Sequence, residues 1–191
     1  MLATLATRLT AESDAGAVEP APASVLVVSG DRDLFQVVTE KTKVLFMGAR
    51  GQKPETVDPD LVMKRYGVPP EGLPMLFALV GESADNIIGV PGVGMKTAAR
   101  LVTEHRTMSS LLGDLASVTP PKLQDSLAAA SERLRKNDAL THLRHDVPLG
   151  DGPLVSPVTS ASLTAVRALF EALEMKSLVA RLDVLATKWP P

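Results

Sequence analysis

GVPGVGMKTAARLV, residues 89–102, places three glycines and one proline directly before a segment with helical spacing. Lys96 follows in the first turn of the helix that this spacing predicts. Glycine allows a tight turn and a close approach of the backbone to a bound group, and free N–H groups at the start of a helix attract anions. The stretch therefore predicts a loop and helix that lie against a phosphate, which could belong to a nucleotide, a dinucleotide cofactor or a nucleic acid.

Two nucleotide-binding motifs fit this stretch poorly. A P-loop requires a lysine directly after its last glycine and a strand before its first one. Met95 separates Gly94 from Lys96, and the preceding ESADNII, residues 82–88, does not have the pattern of a strand. A dinucleotide-binding fingerprint requires a third glycine where Thr97 stands. Both motifs are therefore disfavoured.

A helix–hairpin–helix motif fits the same residues better. Gly92 and Gly94 alternate with apolar residues in the hairpin, and the small Ala98 lies where two helices would cross closely. Contacts through backbone N–H groups and Lys96 would read phosphates and not bases, which predicts sequence-independent DNA binding. A glycine-rich connection between two helices without a ligand is equally compatible with the pattern. The candidate DNA-binding residues are Gly92, Val93, Gly94, Lys96, Thr97 and Arg100.

Two aspartates follow a short apolar run in SVLVVSGDRDLFQ, residues 24–36. Val25–Val28 is typical of a buried parallel strand, and Asp31 and Asp33 come just after its carboxyl end. Functional sites of open α/β sheets form at that end of the strands, and two carboxylates in one loop can bind a hard cation such as Mg²⁺. The alternative is that these are turn and capping residues, with Asp33 as the N-cap of the next helix.

A second acidic pair, Glu82 and Asp85, stands directly before the glycine-rich stretch. If this segment is helical, a spacing of three places both carboxylates on one face. Two acidic pairs beside a phosphate-binding hairpin suggest phosphodiester hydrolysis assisted by two metal ions. The sequence has no evident Ser/His/Asp arrangement, and its three histidines do not have metal-ligand spacing.

The composition is that of a folded chain with an uneven charge distribution. Apolar residues make up 45% of the 191 residues, and the absence of cysteine excludes disulfides and thiolate metal sites. Residues 1–87 carry 8 Lys/Arg against 12 Asp/Glu, whereas residues 88–191 carry 12 against 10. An acidic front and a mildly basic back are compatible with a metal site beside a nucleic-acid contact, and equally with ordinary surface scatter.

The pattern of elements predicts a helix-rich α/β fold. Residues 1–9 and most of the chain after residue 58 have helical spacing, and Lys43–Met47 is a second predicted strand after Val25–Val28. Residues 120–138 predict one long amphipathic helix, and the last helical region is expected to break near Glu174–Lys176. The prediction is a small parallel sheet near the front, followed by a helix–hairpin–helix region.

Three segments together resemble the 5′–3′ exonuclease family, which comprises the 5′ nuclease domain of bacterial DNA polymerase I and stand-alone flap endonucleases. They are VLVVSGDRDLFQVV (residues 25–38), YGVPPEGLPMLFALVGESADNIIGVPGVGMKTAARLV (66–102) and LFEALEMKSLVARL (169–182). The resemblance implies a nuclease with two Mg²⁺ or Mn²⁺ ions that removes 5′ flaps and RNA primers. It implies catalytic and metal-binding roles for Asp31, Asp33, Glu82 and Asp85, and a K⁺ ion at the hairpin.

The resemblance also implies a setting and a division of the chain. The expected partners are flapped, branched or nicked DNA and a DNA polymerase, and the expected protein is a monomer of the bacterial cytoplasm, associated with the nucleoid and not with a membrane. Residues 1–87 would be the remainder of the nuclease core and 88–150 the DNA-binding hairpin region. Residues 151–191 would be a linker and helices that pack on the core.

Two departures from the family pattern bear on activity. Glu82 stands where the family usually has aspartate, and the extra methylene would displace a carboxylate. The family also has strands, further carboxylates and basic residues before a helix that resembles LATLATRL, residues 2–9. The expectation is therefore the latter part of a nuclease domain, weak or inactive alone, with uncovered apolar strand faces. The alternatives are a non-catalytic, structure-dependent DNA-binding module and a product without function.

Overall fold

The computed structural model describes residues 1–14, 24–48, 53–150 and 158–187. The chain divides into two compact units, Met1–Leu149 and Gly150–Pro191. The first unit contains two small sheets and seven helices among its described residues, and it carries every candidate site residue. The predicted helix-rich α/β fold with a small sheet is confirmed.

The larger sheet has three strands in the order β1, β2, β3. Strands β1 (Val25–Ser29) and β2 (Thr42–Phe46) are parallel, as predicted, and a 3₁₀ helix over Arg32–Val37 joins them. Strand β3 (Glu55–Val57) pairs antiparallel with β2 and was not predicted, because three residues are too few to show an alternating pattern. The sheet is therefore mixed and not purely parallel.

One face of this sheet is buried and the other is open. Val27, Val44 and Val57 lie side by side across the three strands, and all are buried. On the opposite face of β1, Leu26 and Val28 are 53% and 57% exposed. The expected uncovered apolar face is therefore present on β1, whereas β2 is largely covered.

Seven helices of the first unit and two of the second are defined among the described residues. Helix α3 is buried along nearly its whole length, from Leu73 to Leu79, and it packs against both α4 and α7. The bounds in the first unit are α1 Leu2–Asp14, α2 Pro59–Tyr66, α3 Leu73–Val80, α4 Met95–His105, α5 Met108–Gly113, α6 Pro121–Ala129 and α7 Ser131–Thr141. Those in the second unit are α8 Ser160–Ala172 and α9 Lys176–Ala186.

Local signals locate the ends of several helices. The Asp58 carboxylate accepts a hydrogen bond from the Leu61 N–H at 2.9 Å, Pro59 opens α2, and Gly67 closes it with φ 72°. Such an N-cap contributes about 1 kcal/mol. Thr107 caps α5 in the same way, through the Ser110 N–H. These ends agree with the sequence prediction because each depends on only a few neighbouring residues.

The predicted long helix over residues 120–138 is wrong in one respect. It divides at Ala130, whose ψ of 1° leaves helical geometry, although no glycine or proline marks the place. Beyond the break, α7 lies along α3: Asn137 donates to the carbonyls of Ala78 and Ile88, and Thr141 donates to that of Pro74. These buried long-range hydrogen bonds, and not local propensity, set the direction of α7.

The second unit is a pair of helices. Arg167 of α8 forms ion pairs with Glu171 of the same helix and Asp183 of α9. No side chain of α8 or α9 is buried. The chain breaks between them where predicted, at a Glu174 with φ 54°. The prediction that this segment packs on the core stays a prediction.

Candidate functional site

The glycine-rich stretch forms a tight turn that leads into α4. The Val90 carbonyl accepts a hydrogen bond from the Val93 N–H at 3.0 Å, with Pro91 and Gly92 between them. Gly92 has φ 81°, as the third residue of a type II turn requires, and a Cβ there would meet nothing within 4 Å. Backbone conformation, and not crowding, therefore makes glycine necessary at this position.

Gly94 is glycine for a different reason. It is the N-cap of α4, with φ −99° and ψ 179°, and no side chain caps the helix. A Cβ at Gly94 would meet no atom within 4 Å, so the fold leaves room for a side chain. Serine or aspartate would serve at least as well for stability. The glycine keeps the N–H groups of the first turn open, which suits a site for an external anion.

The apolar residues of this stretch hold the turn against the core. Val90 and Val93 are 4% and 6% exposed, and Ala98 is fully buried where α4 packs on α3. Val93 was predicted to contact DNA, but its side chain is buried and its N–H is donated to Val90. Its carbonyl oxygen is the only group that it could offer to a ligand. Of the six predicted DNA-binding residues, Gly92, Gly94 and Lys96 are exposed.

Arg100 was also predicted to contact DNA, and the structure shows it engaged within the protein. Its guanidinium contacts the Glu104 carboxylate at 2.9 Å and donates to the Thr119 carbonyl at 3.0 Å. Arg100 thus ties α4 to the loop before α6. It lines a cavity of about 350 Å³ together with Thr97 and Lys122. Lys122, at the start of α6, is a cation beside the hairpin that the sequence analysis missed.

The first acidic pair lies in the turn after β1. Asp31, and not Asp33, is the N-cap of the 3₁₀ helix: its carboxylate accepts from the Asp33 N–H at 2.9 Å. The Ser29 hydroxyl accepts from the Asp31 N–H at 3.1 Å, which fixes the turn. The alternative in which Asp33 acts as the helix cap is therefore wrong, and the half-buried Asp33 carboxylate is not used for capping.

The second acidic pair lies in a β-hairpin and not in a helix. Strands β4 (Gly81–Glu82) and β5 (Ile87–Ile88) pair antiparallel, with a turn over residues 83–86. The helical premise for Glu82 and Asp85 is therefore wrong. A Cβ at Gly81 would overlap backbone atoms of Gly89, and a Cβ at Gly89 would overlap those of Val80 at the end of α3. This close approach holds the β4–β5 hairpin against the end of α3. The prediction of a helix for this segment does not include such a contact.

The two acidic pairs come within electrostatic range of each other. Burial, and after it the charges of Asp31, Glu82 and Asp85, together raise the pKa of Asp33 to about 6. The pKa of Glu82 is raised by burial and then by Asp85, while Arg32 acts in the opposite direction. Asp31, Asp33, Glu82 and Asp85 thus form one acidic region of the first unit.

The chemistry of these four side chains fits a hard divalent cation. Carboxylate oxygens are the ligands that Mg²⁺ and Mn²⁺ prefer, and a bound cation would relieve the repulsion that raises the pKa of Asp33. Among the described residues, however, no group of three or more His, Asp or Glu side chains is arranged to hold one ion. The four carboxylates are therefore compatible with cations that are each bound by two carboxylates, and not with one ion enclosed by three or more.

No helix among residues 1–14, 24–48, 53–150 and 158–187 is long and apolar enough to cross a membrane.

Comparisons with known proteins agree on one family. Residues 68–157 match the family model described as 5′–3′ exonuclease, C-terminal SAM fold. DNA polymerase I of Mycobacterium bovis is 36% identical over 168 residues, and the thermostable DNA polymerase I of Thermus filiformis is 36% identical over 174. Each alignment includes 87% of this chain. The chain spans only 18% and 20% of the length of these relatives.

A solved structure shows the same fold. The bacteriophage T5 flap endonuclease, in a pseudo-enzyme-product complex with DNA and metal ions, superimposes with a TM-score of 0.55 at 23% identity. The match covers 62% of this chain and 43% of the endonuclease.

Proposed function

The chain belongs to the 5′–3′ exonuclease family as part of its nuclease domain, and from this premise we propose that it acts on DNA at 5′ ends and 5′ flaps. The proposed reaction is phosphodiester hydrolysis with two divalent cations, Mg²⁺ or Mn²⁺. The observation that carries the proposal is the electrostatic coupling of Asp33 with Asp31, Glu82 and Asp85. Acidic residues gather in this way, at a cost in stability, where a cation is to be bound.

DNA binding is assigned to the turn of residues 90–94 together with the first turn of α4, which we call the hairpin. The open N–H groups at the start of α4 and the exposed Lys96 face the phosphate backbone, with Gly92 and Gly94 allowing close approach. Such contacts do not distinguish bases, so recognition depends on DNA structure and salt and not on sequence. The carbonyl oxygens of the turn, including that of Val93, are the groups that would hold a K⁺ ion.

Chemistry is assigned to the acidic region. A divalent cation, when bound, would neutralise charge on the scissile phosphate and lower the pKa of a coordinated water. The Asp33 carboxyl, with its pKa raised to about 6, must release its proton to become a ligand. Arg32 offsets part of the negative charge beside Glu82. Because the acids fit a cation only as pairs, we expect millimolar affinity and slow cleavage by the 191-residue chain.

A second candidate function is DNA binding without catalysis. It is favoured by the absence, in the described part of the chain, of any three-ligand group for one metal ion. In that case the hairpin would work as a structure-dependent DNA-binding module. For both functions we propose that the protein is a monomer in the bacterial cytoplasm. It would associate with the nucleoid and work beside a DNA polymerase.

A cleavage assay separates the two candidates. The 191-residue chain is incubated with a 5′-flap duplex and Mg²⁺ or Mn²⁺, and binding is measured in parallel by fluorescence anisotropy. Asp85→Ala is the matched control, because Asp85 belongs to the acidic region and not to the turn of residues 90–94 that is proposed to bind DNA. Slow cleavage that disappears in Asp85→Ala supports the nuclease. Binding without any cleavage supports the module, and absence of both contradicts the two proposals together. DNA binding that is indifferent to exchange of K⁺ for Li⁺ would contradict the K⁺ assignment.

A further inference from the structure

A second cavity lies between the hairpin and the acidic region. It has a volume of about 430 Å³. Met95, the residue that follows the Gly94 cap of α4, lines it. Arg32, which stands between Asp31 and Asp33 in sequence, lines it as well. The cavity therefore connects the proposed phosphate-binding hairpin with the proposed metal-binding acids.

The charge of this cavity is opposite to that of the acidic region beside it. Among the described residues that line it are Arg32, Lys53 and Arg65, with one carboxylate, that of Glu55. Glu55 is already engaged, because its carboxylate accepts from the Arg65 guanidinium at 2.6 Å. Arg32 and Lys53 are exposed, and neither forms an ion pair with a carboxylate within the described residues. Two cationic groups thus stay available to an anion.

The wall of the cavity is aromatic and rigid. Phe46 and Tyr66 line it. Tyr66 packs edge-on against Phe77, with ring centroids 5.7 Å apart, and Phe46 packs against Phe35 at 5.2 Å. Rings held in this way can support a nucleobase by stacking, at a contribution of about 1–3 kcal/mol per base.

We propose that this cavity binds one nucleotide of a single DNA strand, on its way from the hairpin to the acidic region. Arg32 and Lys53 contact its phosphate, and Tyr66 or Phe46 contacts its base or sugar. This inference rests on the proposed function, because it adds a subsite between the two parts of the site that are assigned above. It also gives the chain cationic groups of its own beside the acids, which the sequence analysis did not identify.

A nucleic-acid strand is favoured over a free phosphate by two features. Free phosphate would use the cations alone, whereas the cavity volume and its aromatic wall exceed what one phosphate requires. The first residue of α4, Met95, also lines the cavity, so a strand bound there lies next to the hairpin.

The test uses the ring of Tyr66, which is the only tyrosine in the chain. A protein with isotope-labelled tyrosine has one set of ring resonances, and these report on the cavity and not on the hairpin. Titration with 5′-phosphorylated tetrathymidylate is expected to shift them in a saturable manner. Inorganic phosphate at the same concentration is expected to shift them less. No shift with the oligonucleotide, or equal shifts with both ligands, would overturn the proposal.

Variants locate the contact. Lys53→Ala and Arg32→Gln should each weaken tetrathymidylate binding several-fold and lower its salt slope by about 0.7. Lys136→Ala, which removes the same charge from an exposed position on α7, is the matched control and should change neither quantity. Lys53 is exposed, so its removal does not threaten the fold. Equal affinities in Lys53→Ala, Lys136→Ala and the unmodified chain would overturn the assignment.

A failure of this proposal can be distinguished from a failure of the proposed function. Failure of the cavity leaves duplex binding by the hairpin intact, whereas failure of the hairpin removes duplex binding without changing the Tyr66 response to a short strand.

Discussion

The hairpin and the acidic region differ in what they need from a ligand. The hairpin is complete without one: its turn is closed by a hydrogen bond of 3.0 Å, its apolar residues are buried, and the groups proposed to bind an anion are backbone N–H groups. The acidic region gathers carboxylates that are partly buried and repel one another, and both effects, burial first, raise the pKa of Asp33. A site for an anion can thus be built from backbone dipoles at little expense, whereas a site for a cation is destabilised until the cation arrives.

The largest expected effect comes from Gly94→Asp, which would prevent the hairpin from binding a phosphate. A carboxylate at the start of α4 would occupy the open N–H groups and repel a phosphate. We expect duplex DNA affinity to fall by at least about tenfold, ~1.4 kcal/mol, while the Tm is unchanged or slightly higher, because aspartate is a good N-cap and no atom lies within 4 Å of its Cβ. Anisotropy and thermal unfolding measure the two quantities.

Gly94→Ser is the control for that substitution. It caps the helix with a neutral hydroxyl and should weaken DNA binding far less than aspartate. If Gly94→Asp binds duplex DNA as well as the unmodified chain does, the hairpin is only a connection between helices.

Asp33→Asn tests the acidic side through stability. Because the pKa of Asp33 is about 6 in the folded chain and 3.8 ordinarily, the folded state holds the proton more tightly. The folded state is therefore penalised in full above pH 6, less as the pH falls, and not at all below about 3.8. Asparagine removes this penalty, so we expect a higher Tm at pH 7.5 and a vanishing difference near pH 4.

The magnitude for Asp33→Asn is modest because about half of the side chain is exposed. A gain of about 1 kcal/mol, after discounting for solvent screening, corresponds to about 2–4 °C in a chain of this size. Thermal unfolding across that pH range, with Asp60→Asn on the exposed side of α2 as a control, measures it. A lower Tm for Asp33→Asn at pH 7.5 would show that the carboxylate is stabilising.

Magnesium should affect the stability of the acidic region and not that of the hairpin. A cation bound by the acids stabilises the folded chain, and a concentration ten times the Kd contributes about 1.4 kcal/mol. We expect millimolar Mg²⁺ to raise the Tm of the unmodified chain and to raise that of Asp33→Asn less. Gly94→Asp, which leaves the acidic region intact, should respond as the unmodified chain does. Equal increases in the Tm of the unmodified chain and of Asp33→Asn would show that Asp33 does not take part in metal binding.

The smallest expected effect is that of Lys96→Ala. Removing one cation beside the hairpin should weaken binding of all DNA sequences alike and lower the salt slope by about 1. Affinity measured against salt concentration, with two duplexes of unrelated sequence, tests this. An effect that differs between the two duplexes would indicate contacts with bases and contradict backbone recognition.

The sequence determined those features that depend on a few neighbouring residues. The ends of α2 follow from Asp58, Pro59 and Gly67, and the turn before α4 follows from Gly92. Each works through its own φ or through a hydrogen bond to a residue three positions away. The family resemblance likewise predicted roles for the acidic residues from the GDRD and ESADN segments, because each segment is contiguous in the sequence.

Only the tertiary structure decided how distant segments meet. It placed Asp33 within range of Glu82, made Asp31 the cap, and folded Gly81 against Gly89. It also divided the helix at Ala130. The cavity that joins Arg32 to Met95 is another product of the fold. The physical reason is that a cap or a turn is stabilised by adjacent residues, whereas mutual repulsion, close backbone approach and a shared cavity exist only after chain segments tens of residues apart have packed together.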